Sequence, residues 1–530
     1  MSSLAVVVYL ATASGNLPDA GAVDELGRSL GFISLVPTLL AVALAFLTGD
    51  VVSALLVGLV MGELMLAVIS GGGFAGVMPG ILITTVSEIA GTVPDADNAE
   101  VLILCALVGG MVGVLRILGG FECAATRLLK KINTPRKANL LGQLFCMVFF
   151  FDDYANALVS GPVLQPITDK NGISRERLSY IVDSTAAPMA GIAVISSWVA
   201  VEISVIAEGF DVAGCEISPF AAFLNSIPYC FYCIFALAFI FITTILGREY
   251  GPMLDAERRA RKGETLKKGS NVAFDSSEVS VSGKEKTRIA IAFSCIGLLL
   301  AYALISFVFT DQEILDLLLQ AALFCGIIAV VLGTVTGIFN MSDGVKAWLD
   351  GASSLMPTIV ILVLAWSLAS VVARLGTVYY VVDIMSAGVS WKLIPVLIFV
   401  CCCAVSFATG SYGCMFMIMP MAVPVAFAVC GLHPEIEQGK FLYLCIASVL
   451  SGGIFGDHCS PMTDCTILAA LGSGCETMDH VVTQMPYALT VAAVTILSIF
   501  ITTAGLNVFI SALIGIILLT LIIRTIGKKP

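Results

Sequence analysis

Three short stretches place carboxylates inside apolar runs. "FFFDDYANAL" at 149–158 ends a phenylalanine run on Asp152 and Asp153, with Asn156 within the next turn. "YIVDSTAAPMAGIAVISSW" at 180–198 carries Asp183, then Ser184, Thr185 and Pro188. "GGIFGDHCSPMTDCTIL" at 452–468 carries Asp457, His458, Ser460, Pro461, Thr463 and Asp464 behind Gly452, Gly453 and Gly456. Carboxylates, hydroxyls and the carbonyls freed by a proline are oxygen ligands suited to a hard cation. A charge at the centre of a membrane helix costs about 2.5–3.5 kcal/mol on insertion scales, so such acids face protein or water and mark ion paths.

In a regular helix Asp152 and Asp153 lie about 100° apart and cannot serve one ligand together, whereas Asp152 and Asn156 share a face. The other reading stops the helix at Phe151 and lets the acids cap a new one. Gly161, Pro162 and Pro166 favour such a break. At Asp183 the plain alternative to a ligand is a capping acid beside a proline kink. His458 either senses pH near neutrality or simply donates a hydrogen bond. His433 and His480 read as loop residues. Glu202 reads either as a further acid of the Asp183 constellation or as an interfacial surface residue.

The elements that position these groups follow from composition. Of 530 residues 58% are hydrophobic and 12% charged, and the mean hydropathy is +1.00. A soluble domain carries about 25% charged residues. Apolar runs recur from 31–48 and 51–69 to 506–525, of a length that spans a bilayer as a helix. A barrel would show short alternating strands instead. The fold class is therefore an all-α polytopic membrane protein with about ten to twelve crossings, some of them broken. The net charge of −11 is gathered in loops and leaves no nucleic-acid footprint. The 17 cysteines fall mostly in apolar runs, where Cys acts as a small hydrophobe. No CxxC stands beside a His at metal spacing. No cofactor, nucleotide loop or nucleophile–base pair is called for, which speaks against a primary pump and a membrane enzyme. A channel shares the broken helices and differs in its flux.

Residues 1–30 read as a tail or short helix. Ala11-Thr12-Ala13 resembles a cleavage site, but no basic region precedes it. A polar, Ser/Gly-rich linker at 248–288 separates a first membrane repeat, 31–247, from a second, 289–505. An extra helix and tail follow at 506–530. Basic residues place the linker, the loop with Lys130, Lys131, Arg136 and Lys137, and the C-terminus with Arg524, Lys528 and Lys529 in the cytoplasm. The acidic 94–100 segment falls outside.

"VLRILGG" at 114–120 resembles "VVARLGT" at 371–377, "VSGPVLQP" at 159–166 resembles "MIMPMAVP" at 417–424, and "DSTAAP" at 183–188 resembles "DHCSP" at 457–461. The loop charges run the two copies in opposite directions, the pattern of inverted-topology repeats in secondary transporters. The counterpart of "FDDYAN" is "FATGSYG" at 407–413, where Thr409 and Ser411 stand for the acids. That asymmetry suits a cation site with a less charged mirror site. It equally suits an anionic organic substrate held at a helix end. Arg116 and Arg374 snorkel or pair, and Glu63 is a bundle-facing acid or a partner for one of them.

The motif from "FDDYANALVSGPVLQP" through "YIVDSTAAPMAGIAVISSW", with "GGIFGDHCSPMTDCTIL" downstream, resembles the NhaC-type sodium/proton antiporter family of the ion transporter superfamily. The likeness runs from about Gly31 to the C-terminus, sparing the linker, and is densest at 150–198 and 452–468. It implies two inverted repeats, each with a re-entrant hairpin and a broken helix, in a chain that often forms homodimers. It also implies exchange of sodium for protons, or in some members exchange against organic acids such as malate and lactate. Carried over residue by residue, the ion-site set is Asp152, Asp153, Asn156, Asp183, Ser184, Thr185, Asp457, Ser460 and Asp464. After the acid, family sequences read Asn-Cys-Ser-Pro-Ile-Ser-Asp-Thr, where His458, Met462, Thr463 and Cys465 depart.

The expectation is a secondary transporter, no enzyme, that exchanges sodium for protons by alternating access in a bacterial plasma membrane. Asp152, Asp183 and Asp457 bind Na⁺, with a proton as competitor. The alternative is a sodium- or proton-coupled carrier of a small organic anion or amino acid, with Thr409 and Ser411 among its ligands.

Overall fold

The computed structural model describes residues 20–48, 50–69, 74–94, 96–120, 123, 134–153, 156–215, 217–268, 283–309, 314–377, 380, 390–461 and 463–530. The expected segment 1–19, most of the basic loop at 121–133 and the Ser-rich part of the linker at 269–282 lie outside them. Among the described residues every regular element is a helix, and an isolated antiparallel bridge joins Glu249 to Lys528.

Six of these helices are long and apolar enough to cross a membrane: Val52–Ile69, Asn98–Leu118, Gly410–Leu432, Gln438–Asp457, Thr477–Thr503 and Val508–Ile526. Pro219–Tyr229 and Phe231–Leu246, bent by 44°, make a seventh span if taken as one broken segment. Gly80–Thr92, Leu319–Val335, Ile359–Arg374 and Trp391–Phe407 are shorter apolar helices. Local chemistry sets several ends. The Asn507 side chain accepts from the Phe509 N–H and starts Val508–Ile526. Ser174 does the same for Arg175–Ser184 through the Arg177 N–H. Phe231–Leu246 stops at Gly247, whose φ of 61° is a left-handed C-cap.

The chain divides into two compact units, each drawn from both sequence halves. Unit 1 comprises 1–99, 202–229 and 357–453. In it Arg374 holds Glu63 at 2.6 Å and Glu88 at 2.8 Å, a largely buried triad that fixes three helices. Removing one partner of such a set leaves an uncompensated charge and costs about 3–5 kcal/mol. Unit 1 also contains the long helix Ile394–Leu432, broken at Gly410, where φ is 74° and ψ is 174°. That backbone region is open essentially to glycine alone, so the 407–413 motif folds as the tip of a broken helix.

Unit 2 comprises 100–201, 230–356 and 454–530. It holds the three acidic motifs, except that the 452–468 stretch enters it at Ile454. The front of the segment read as a polar, Ser/Gly-rich linker contains the helix Gly251–Arg261. Its Met253, Leu254, Ala256 and Ala260 are buried, and Glu257 accepts from the Ser174 N–H at 2.9 Å and its hydroxyl at 3.0 Å. Arg259 pairs with Glu176 at 2.7 Å. Four apolar or small residues on one face outweigh a charged composition.

Candidate ion-binding site

In unit 2 the first acidic motif falls in a helix break. Pro135–Cys146 tightens into a 3₁₀ turn at Met147–Phe149, and a π-helical turn follows at Asn156–Ser160. Asp153 is already helical and the Asn156 N–H donates to the Asp152 carbonyl at 3.1 Å, so the one-turn relation of Asp152 to Asn156 holds and the two acids open a new helix after Phe151. The break is bonded to a second one: the Ser197 N–H donates to the Phe151 carbonyl at 2.8 Å. Helix Arg175–Ser184 ends at Thr185, and a one-turn helix, Ala187–Ala190, carries Pro188 in its first turn. The third break lies between the end of Gln438–Asp457 and the start of Asp464–Gly472.

These breaks pack the acids into adjoining settings. Asp152 and Asp153 are each 4% exposed, Asp457 5% and Asp183 fully buried. The Cys465 thiol donates to Asp153 Oδ2 at 2.7 Å and reaches Asp457 Oδ2 at 3.9 Å. Asp153 and Asp457 therefore share Cys465 as a partner. The Thr466 hydroxyl secures the Asp457 carbonyl at 2.6 Å. Thr463 Oγ1 donates to the Ser460 carbonyl at 3.2 Å, closing the 457–464 break on itself. Asn156 donates to the Thr185 carbonyl at 3.0 Å and accepts from Ser160 at 2.7 Å. Thr185 turns its hydroxyl back onto the Ile181 carbonyl at 2.7 Å. Asn156 and Thr185 thus tie the first break to the second.

Asp183 has a setting of its own. Its Oδ2 accepts from Gln484 Nε2 at 2.6 Å and stands 3.1 Å from His480 Nε2. The same Gln484 amide donates to the His458 carbonyl, joining Asp183 to the residue after Asp457. Asp183 Oδ1, His480 Nδ1 and Gln484 Oε1 are buried and have no hydrogen-bond partner among the described residues. His458 is bonded at both ring nitrogens, to Ser184 Oγ at 2.6 Å and to Tyr232 Oη at 2.8 Å. Its imidazole is a structural link from the third break to the second.

Among the described residues no group of three His, Cys, Asp or Glu side chains is arranged to hold a metal ion. Asp152, Asp183 and Asp457 all belong to unit 2. Asp152 lines a cavity of ≈ 650 Å³. Ser460 is buried in the third break. The side chains of Asp464 and Thr409 lie outside the described set, and buried Ser411 belongs to unit 1.

His480 was expected in a loop and is a correction. It is fully buried in the first turns of Thr477–Thr503. The flanking "GSGCETMD" hides it, but a signal was present. His480, Thr483, Gln484, Tyr487, Ala488 and Val491 are all buried and recur at helical spacing. His433, by contrast, ends a helix on the surface beside Glu435. Glu202 is fully buried in unit 1, with neither carboxyl oxygen hydrogen-bonded among the described residues.

Residues 189–504, more than half of the chain, match the Na+/H+ antiporter family. A protein of Haemophilus influenzae, described only as uncharacterized, is 28% identical over 517 residues, covering 93% of this chain and 95% of that one. Among solved structures, the Alcanivorax borkumensis YdaH transporter aligns over 79% of this chain and 87% of its own, with a TM-score of 0.56 and 14% identity. Neisseria gonorrhoeae MtrF, from a class of antimetabolite efflux pumps, aligns over 80% and 83%, with a TM-score of 0.48 and 13% identity.

Proposed function

The chain belongs to the Na+/H+ antiporter family, and from that premise we propose that this membrane transporter exchanges sodium for protons by alternating access. The observation that carries the reading is the convergence of two helix breaks on one thiol, which brings Asp153 and Asp457 to Cys465. Two buried carboxylates at one point repel each other when both are ionised. A sodium ion or a proton relieves that repulsion, and either excludes the other. If the carrier reorients only when the repulsion is relieved, competition for the site becomes antiport. The third break also holds the hydroxyls and carbonyls of Ser460 and Thr463, oxygen groups of the kind that coordinate a small cation. Asp183 and Asp152 lie close enough in sequence and fold to belong to the same path.

The remaining features of the reading are a bacterial plasma membrane, a linker and C-terminus on the cytoplasmic side, inverted repeats and a homodimer. The loop charges support the orientation, and the family supports the cation pair.

The test uses purified protein in liposomes with a pH dye in the lumen. With the lumen acid, external sodium should alkalinise it, and Asp457→Asn should abolish the signal. No response to sodium, lithium or potassium from folded protein would contradict the exchange reading and turn attention to small organic anions and amino acids.

A further inference from the structure

The cavity at Asp152 has an ordered lining. Helix Met341–Ser354 contributes Asp343, Lys346 and Asp350, which stand three and four residues apart and so form one stripe. Helix Ala96–Leu118 contributes Arg116, with Gly109, Val112 and Gly113 from the same side. The two helices cross at small residues. A Cβ added to Gly113 would meet the Ala347 carbonyl oxygen at 2.2 Å. This close approach holds the two charged stripes against one hollow.

Exposure falls across the lining. Arg116, Asp343, Lys346 and Asp350 are exposed, whereas Asp152 is 4% exposed. Among the described residues none of those four exposed groups has a salt-bridge partner. Unpaired charges facing hydrocarbon would cost about 2.5–3.5 kcal/mol each, so the hollow faces water. At roughly 30 Å³ per molecule, ≈ 650 Å³ takes up many waters and far exceeds a dehydrated sodium ion. The mouth also has a side. The Arg288 guanidinium, at the end of the linker, donates to the Leu118 carbonyl at 2.7 Å, just beyond Arg116. The linker and the loop after Leu118 carry the basic residues that mark the cytoplasm.

We propose that this cavity is the aqueous vestibule through which sodium meets Asp152 from the cytoplasm, and that Arg116 and Lys346 limit its affinity for cations. The inference rests on the exchange reading and adds the route and its selectivity. Asp152, Asp343 and Asp350 outnumber the two bases by one charge, so the vestibule concentrates monovalent cations weakly. Lys346→Glu strengthens that field without touching Asp153 or Asp457. Asp152 is the hand-over point from the vestibule to the buried carboxylates, which explains why two adjacent acids point to different surroundings.

Two measurements on the full chain test this. The first places a cysteine at Leu468 in the lining, or at Ala347 should that variant not fold, with exposed Cys401 changed to Ser. A membrane-impermeant cationic thiol reagent should label it at least about tenfold faster in inside-out than in right-side-out vesicles, and sodium should slow the labelling. Equal labelling from both sides, or faster labelling from outside, overturns the route. The second compares cytoplasmic-side sodium kinetics. Lys346→Glu should lower the sodium KM by about threefold or more at low ionic strength, with kcat unchanged and the effect fading as salt rises. An unchanged KM overturns the electrostatic role. Sidedness of labelling is read without transport, so a chain that labels as expected but carries no sodium would contradict the exchange reading and leave the vestibule standing.

Discussion

At the residue scale the proposal gives the two adjacent acids of the first motif separate tasks. Asp153 shares Cys465 with Asp457, and Asp152 faces the cavity. Asp153→Asn should therefore abolish sodium-dependent proton movement. Asp152→Asn should raise the sodium KM about tenfold, a change of about 1.4 kcal/mol, and spare more of kcat. Initial rates in proteoliposomes over a sodium series check both, and equal defects would show that the two acids act as one. Asp183 and His480 make a different prediction. His480→Ala removes a partner from a fully buried carboxylate whose other oxygen already has none among the described residues. We expect a loss of about 1–3 kcal/mol in stability, seen as a lower melting temperature in detergent. An unchanged melting temperature would show that the contact carries no weight.

The acids themselves were legible from sequence, because a carboxylate inside an apolar run has no innocent place in a bilayer. Their partners were not. Cys465 stood out only as a departure from the family sequence, and its value as the contact between Asp153 and Asp457 exists only once two distant breaks meet. His480 was hidden by glycines and acids that read as loop, while its buried stripe continued into Thr477–Thr503.

At the scale of elements, the account depends on where helices stop. The proline and glycines of the acidic motifs announced breaks, and the breaks are there. What sequence spacing alone could not give is the form of each: a 3₁₀ turn and π-helical turn around Asp152, a single-turn helix after Thr185, and a left-handed glycine at 410. The linker misled in the other direction. Its charges suggested solvent, yet Met253, Leu254, Ala256 and Ala260 dock a helix on unit 2. Gly410 offers the sharpest test of a break. A side chain at φ 74° and ψ 174° stores about 1–3 kcal/mol of backbone strain. Gly410→Ala should lower the melting temperature and slow exchange, whereas Gly431→Ala, with open space at its missing Cβ, should do neither. Equal behaviour of the two variants would remove the argument that the 410 tip needs glycine.

At the scale of the whole molecule, the proposed orientation rests on the sign of the loop charges. Lys268, exposed just before the outlying part of the linker, gives a direct readout. Lys268→Cys, in protein with Cys401 changed to Ser, should react with an impermeant maleimide in inside-out vesicles and stay unlabelled in right-side-out ones. The reverse pattern would invert the topology, and with it the side assigned to the Asp152 vestibule.

The central claim is that sodium and a proton compete for buried carboxylates in unit 2, and the most direct measurement is proton release on binding. Purified protein in detergent and very weak buffer would be titrated with sodium chloride while the pH is followed, with choline chloride as the ionic control. The account predicts a saturable, sodium-specific acidification in the wild type that is absent in Asp457→Asn. Sodium binding without proton release, or release that choline reproduces, would contradict it.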